Sequence, residues 1–248
     1  MNSAPGILVR LIAIAFATSQ IQAACVYSPP PVLSHGQGAD TLGQKRVAVA
    51  AEAGWGTVAS WWNADNISDV DLHSGYVGVV RGRYGLSPDW DVGIVGGVGP
   101  RTTLVVGPEA KWRFARFAPE DAEGAPGFHA ALISGLGVGS VENRLLSERS
   151  DSTTRNLFLA PYTGVLASGG IQVVQMFVGL RFAASEKFGN DRPDLTLYPL
   201  LAFGVLVRPT RALTFYVEGV LAGGITTRDI SDSALIGYPS AGVSLVFD

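Results

Sequence analysis

The stretch VVGPEAKWRFARF, Val105 to Phe117, sets Glu109, Lys111 and Arg113 at every second position, with Ala110, Trp112 and Phe114 between them. Successive side chains of a β-strand point to opposite faces, so a strand here has one charged face and one apolar, aromatic face. Which face meets the surrounding medium decides the fold. The same phase recurs elsewhere. In LTFYVEGVL (213–221) Leu213, Phe215, Val217 and Leu221 oppose Thr214, Tyr216 and Glu218. In YVGVVRGRY (76–84) Tyr76, Val80 and Tyr84 oppose Arg81, placed with Arg83, and in VAVAAEAGW (47–55) Val47, Val49 and Trp55 oppose Glu52.

A soluble barrel would turn the bulky faces inward and show water a surface of glycine, alanine and a few charges. Turned the other way, bulky groups face lipid, while small residues and ions of both signs fill a narrow lumen. The candidate lumen network is Glu52, Glu109 and Glu218 with Arg81, Arg83, Lys111, Arg113 and Arg181. Composition points the same way: of 248 residues, 47% are hydrophobic and only 16% charged, well below the ~25% of an ordinary soluble domain.

Alternation over 8 to 12 residues dominates from Gln44 onward, and apolar residues almost nowhere recur at helical spacing for three turns. Ten strands are predicted, at 45–56, 73–85, 89–99, 103–117, 127–140, 155–168, 171–184, 196–208, 211–225 and 234–247, with eight as the alternative count. The connections at 86–90, 169–170 and 209–211 are short, whereas 57–72, 141–154, 185–195 and 226–233 are longer and polar. Short turns at one end and longer loops at the other are the layout of an antiparallel up-and-down transmembrane barrel. The connections at 119–127 and 99–102 break this rule. Prolines 108, 161, 199 and 239 recur early in alternate strands, which predicts bulges or loose pairing there.

The N-terminus, MNSAPGILVRLIAIAFATSQIQAAC, has one charge at Arg10, an apolar run from Leu11 to Ala17 and small residues at Ala23 and Ala24. That run is too short to span a bilayer, so residues 1–24 are expected to be a signal peptide. Cleavage after Ala23 is one reading. The other takes QAAC as resembling the bacterial lipobox, with Gln22 where an aliphatic residue is usual and Cys25 as the lipidated residue. Cys25 is the single cysteine, so no disulfide forms within a monomer. Residues 25–43, rich in proline and glycine, are expected to be an extended linker outside the core, and 44–248 the barrel. Without residues 1–24 the chain holds 17 basic against 21 acidic side chains and shows no basic stripe for nucleic acid.

On RYGLSPDWDVGI (83–94), GPEAKWRF (107–114) and the final AGVSLVFD (241–248), the chain resembles small bacterial outer-membrane β-barrel proteins. The resemblance covers 44–248 and implies an outer-membrane location, contact with membrane lipid and recognition by the insertion machinery. The latter reads a terminal alternating strand ending in an aromatic; Val243, Leu245 and Phe247 keep that alternation, and Asp248 follows. An architecture implies no activity.

No nucleophile elbow, phosphate-binding loop, zinc motif or cysteine metal pair occurs, so no cofactor or metal is expected. The weak catalytic candidates are Asp71 and His73 in SDVDLH (68–73), with Asp69 on the same face. The Asp-x-His spacing matches one of the two pairs used by omptin outer-membrane proteases, but no Asp-x-Asp stands at another rim to supply the second. The reading favoured by the residues is a non-catalytic barrel with a structural or narrow transport-like role. A rim-located omptin-like hydrolase and a soluble periplasmic lipid-binding barrel are the alternatives.

Overall fold

The structure, a computed structural model, describes residues 36–64, 67–99, 102–117, 127–147, 150–171, 173–188, 194–226 and 233–248. The ten strands are β1 Val47–Ala64, β2 Ile67–Gly85, β3 Trp90–Gly99, β4 Thr102–Phe117, β5 Gly127–Ser147, β6 Ser150–Gly170, β7 Val174–Phe188, β8 Asp194–Val207, β9 Leu213–Thr226 and β10 Ser233–Phe247. Each pairs antiparallel with its chain neighbours, and β10 closes on β1. Closure leaves no strand edge, the condition for a sheet to stand in lipid.

Passing from partner to partner around the wall, Val47 leads through Tyr84, Val92, Ala110, Ser134, Thr163, Phe182 and Pro199, and by way of β9 to Leu235 and Ala59. The circuit therefore returns to β1 at Ala59, twelve residues above its start at Val47. With strands ~4.8 Å apart and ~3.3 Å per residue, that stagger tilts ten strands by about 40° around a backbone radius of about 10 Å.

The inside-out phase is realised. Trp112, Phe215 and Leu245 are 41%, 48% and 45% exposed on the outer surface, whereas Glu109 and Lys111 are 5% and 1% exposed in the interior. Outward aromatics meet in two zones. Trp55 packs edge-on to Tyr76 at 4.8 Å, and Trp90 stacks on Trp112 at 5.8 Å nearer the chain termini. Along β2, outward Tyr76 and Tyr84 stand eight residues apart. At about 2.5 Å of axial rise per tilted residue this is about 20 Å, comparable to the apolar band of a membrane barrel.

At the lower end, where both barrel termini lie, the described turns are 86–89 and 208–212. At the upper end the structure departs from the long loops expected at 57–72 and 141–154. Strands β1 and β2 stay paired up to Ala64↔Ile67, and β5 and β6 up to Ser147↔Ser150. Beyond the apolar band an outward face need not be apolar, so alternation fades from the sequence while the backbone ladder continues. Trp61, Trp62, Asp71 and His73 thus belong to a projecting hairpin.

The four prolines face outward without bulges, contrary to one of the two expectations. Pairing is interrupted beside each, on one side only and with unchanged register: Val106↔Val138 resumes at Glu109↔Gly135, and Leu159↔Glu186 at Tyr162↔Ala183. The same gap follows Leu197↔Ile225 and separates Gly54↔Ser240 from Thr57↔Gly237. Proline donates no hydrogen bond toward the next strand, so the ladder skips a rung and the phase survives. Register shifts occur instead at Gly97/Gly99, Thr102/Leu104 and Arg113/Ala115.

A charge moved to the outer face at mid-height tests the in/out assignment. Val80→Arg should lower the unfolding free energy in phospholipid vesicles by about 2–4 kcal/mol, with Val80→Leu changing it by less than about 1.5. Equal stability of the two variants in urea titrations followed by tryptophan fluorescence would contradict an outward Val80.

Candidate functional site: the charged lumen and its plug

Among the described residues, the wall turns four carboxylates, Glu52, Asp91, Glu109 and Glu218, and four cations, Arg81, Arg83, Lys111 and Arg181, into the lumen, and the formal charges of these eight balance. Arg81 Nε lies 3.1 Å from Glu109 Oε1, with both side chains fully buried. Tyr162 donates its hydroxyl to Glu109 Oε2 at 2.8 Å, and the Arg181 guanidinium sits 4.6 Å over the Tyr162 ring. Tyr216 and Tyr238 both donate to the Glu52 carboxylate, at 3.3 and 2.5 Å. Lower down, Asp91 accepts from Arg83 at 3.5 Å and forms an ion pair with Lys111 Nζ at 3.4 Å.

The inward aromatics need space, and glycines on the facing strand supply it. Gly135 pairs with Tyr162, Gly139 with Phe158, Gly204 with Phe177 and Gly242 with Tyr216. A Cβ added at any of the four would fall within 2.5 Å of the opposing ring. Large side chains therefore lie flat across positions that have none, filling the interior without distorting the wall. Val77, Val105, Ile133, Phe158 and Ile236 join a further buried apolar cluster. The interior is thus less purely ionic than alternation alone suggested.

The lower part of the lumen is occupied by the chain itself. Residues 36–42 have neither helix nor strand, as proline- and glycine-rich sequence predicts, but they do not remain outside the core. Gly36 N–H donates to Glu218 Oε2 at 2.6 Å. Gln37 donates to Glu109 at 3.0 Å and accepts from Arg83 at 2.7 Å and Lys111 at 3.1 Å. Ala39 N–H bonds Ser168 Oγ, Leu42 N–H bonds Asp91, and Asp40 pairs with Arg208 at 2.7 Å. Gly36 has φ +45°, and a Cβ there would lie 2.9 Å from Glu52 Oε2 and the Tyr216 hydroxyl, so glycine is required twice over.

Burial pushes the Asp40 carboxyl up, but Arg208, then Lys111 and Arg83, outweigh it and hold it down at about 2.

Of the eight residues predicted for the lumen network, seven are inward and bonded as above. Arg113 instead stands at the lower mouth, bonded to Asp89 Oδ1 at 2.7 Å and to the Pro88 carbonyl, and pins the 86–89 turn. Residues overlooked in the sequence are Asp91, Gln37, Asp40, Tyr162 and Tyr238; Tyr216 was placed on the inward face without its role toward Glu52. Asp91 was accessible, since β3 and β4 pair it directly with Lys111. Asp71 and His73 lie on β2 opposite Ser60 and Val58, and their side chains are outside the described residues, as is Cys25.

Among solved structures, the barrel is similar to the outer membrane protease OmpT of Escherichia coli, at 10% identity over 85% of this chain and 100% of that one, with a TM-score of 0.46. It is also similar to the N-terminal β-barrel domain of Pseudomonas aeruginosa OprF (14% identity, 83% and 99% covered, TM-score 0.35). The translocator domain of Neisseria meningitidis NalP is a third such structure (11% identity, 86% and 90% covered, TM-score 0.37). No protein-family model and no curated protein sequence matches the chain. At such identities the likeness concerns the fold alone.

Truncating one partner of the buried pair should be costly. Glu109→Ala strips Arg81, Tyr162 and Gln37 of their acceptor and should lower stability by about 3–5 kcal/mol in detergent unfolding titrations; Glu109→Gln should lose less. The plug has its own pH signature. Asp40 titrates lower when docked than the ordinary 3.8, so docking is fully stabilised above about pH 4 and weakens as pH falls through about 2. Exchange protection of the Ala39 amide should follow that course, corrected for intrinsic rates. In Asp40→Asn it should be lower at neutral pH and lack the acid transition.

Proposed function

We propose that the protein is a non-catalytic outer-membrane barrel with a structural role, exported by way of residues 1–24, whose lumen is closed to solute flow. Support comes from one observation above others: residues 36–42 occupy the lower lumen and bond to Arg83, Asp91, Glu109, Lys111, Ser168, Arg208 and Glu218, on strands β2, β3, β4, β6 and β9 and the β8–β9 turn. A segment fixed at so many points is an integral filling rather than a tether. Acylation at Cys25 would add a lipid anchor ahead of it.

On this reading the lower end, with its short turns and chain termini, faces the periplasm, and the β1–β2 and β5–β6 hairpins project from the outer surface. Outward Phe247, on the strand that closes the barrel, is the residue offered to the insertion machinery.

The folded protein should migrate differently on a gel before and after boiling, and in planar bilayers it should give no discrete conductance steps. Steady ionic conductance from the intact chain would overturn a closed lumen. Deletion of 36–42 should raise leakage across the bilayer if the plug contributes to closure.

A further inference from the structure

At the lower mouth Arg83, Asp91 and Lys111 hold the plug on the β2–β4 side, and Ser168 and Arg208 tie it across the lumen. The plug and residues of β7–β10 together border a cavity of about 390 Å³, within the range of small-molecule sites. Two polar side chains in its lining lack an explanation in packing. Gln175 and Ser244 are 7% and 6% exposed, and among the described residues Gln175 Oε1 and Ser244 Oγ have no hydrogen-bond partner. An unmet buried polar atom costs ~1–3 kcal/mol, so each is poised for a donor or acceptor from another molecule.

The charge of the lining is one-sided. Arg46, Arg83, Arg208 and Arg211 border the cavity, with Asp40 as its one carboxylate. Arg46 and Arg208 each make one contact, to Asp248 and Asp40, and Arg83 uses Nη1 for both Gln37 and Asp91, which orients these guanidinium groups. A guanidinium has five N–H donors, so orientation by one carboxylate leaves others for a ligand. The four arginines come from β2, from the β8–β9 turn and from the entry to β1. Convergence from separate elements suits a tetrahedral oxyanion with three terminal oxygens better than a planar carboxylate.

We propose that this cavity binds a small phosphate monoester bearing free hydroxyl groups, its oxyanion on the arginines and its hydroxyls on Gln175 and Ser244. The ligand enters as a free solute from the lower mouth. The site is independent of whether the lumen conducts.

Glycerol 3-phosphate is a suitable probe, titrated calorimetrically into the full chain folded in detergent. Saturable binding is expected, weakened about tenfold or more by Arg211→Gln and by Gln175→Leu, the loss of one charged or buried polar contact. Both variants should keep the folded gel mobility, because Arg211 is an exposed turn residue and Gln175→Leu removes an unmet polar atom. Inorganic phosphate should bind more weakly, and micellar phosphatidic acid should not compete. No saturable binding at millimolar probe, binding that neither substitution weakens, or equal affinity for inorganic phosphate overturns the proposal. Competition by phosphatidic acid overturns the free-solute source.

Discussion

The structure depends on satisfying ions in a place that water does not reach freely. A carboxylate or guanidinium sealed between lipid-facing walls loses its hydration, and only close partners restore what burial removes. Arg81 and Glu109 meet directly, but no wall residue can move to meet every other charge, because each is fixed by the strand that carries it. Tyrosines one or two strands away supply donors to Glu52 and Glu109, and the plug adds others through backbone N–H groups and the amide of Gln37. An amide that donates to a glutamate and accepts from an arginine and a lysine is well suited to such a site, since it serves both signs without adding a charge of its own.

This explains why small residues in the plug are not merely flexible spacer. Gly36 passes beside Glu52, Tyr216 and Arg81, and Gly38 beside Asp40, Leu206 and Ser168, with less room than a methyl group needs. The composition that makes a segment look like a linker is also the composition that lets a backbone approach a crowded set of side chains closely enough to bond them. Sequence alone does not separate the two uses. Only the polar groups on the receiving wall distinguish them, and these come from strands up to 182 positions away.

Strand count, strand phase and lumen orientation were legible because the apolar outer face enforces them: one charge misplaced on such a face would be costly in lipid, so alternation is strict from Val47 to Phe247 wherever the wall crosses the apolar band. The same physics explains what was not legible. Above the band the constraint ends, and the polar runs around Trp61 to His73 and Val141 to Arg155 read as loops although they continue the ladder. Arg113 keeps the inward phase of Glu109 and Lys111, but a strand pattern gives phase and not height, and at the mouth a turn residue, Asp89, reaches it first. Tyr216 was read on the face of Glu218, but alternation does not say which hydroxyl meets which carboxylate, and the tyrosine hydroxyls are the polar partners the buried glutamates need.

Barrel dimensions show why a wall alone would not suffice. A backbone radius of about 10 Å leaves a central channel if inward positions are only glycine and alanine. Laying rings across facing glycines narrows it, but each ring needs a residue opposite with no side chain, so adding rings removes side chains elsewhere around the circumference. Filling therefore has a geometric limit that a wall of ten strands cannot exceed without bending inward. A segment threaded along the axis escapes the limit, because it adds atoms to the centre without taking any from the wall. It also enters from the lower end, beside Gly85, where Gly43 passes so close that any side chain at position 85 would strike its carbonyl. Entry of the segment and register of the first hairpin are thereby tied together: Lys45, between the end of the plug at Leu42 and the start of β1 at Val47, bonds the Gly85 carbonyl through its N–H at 2.8 Å.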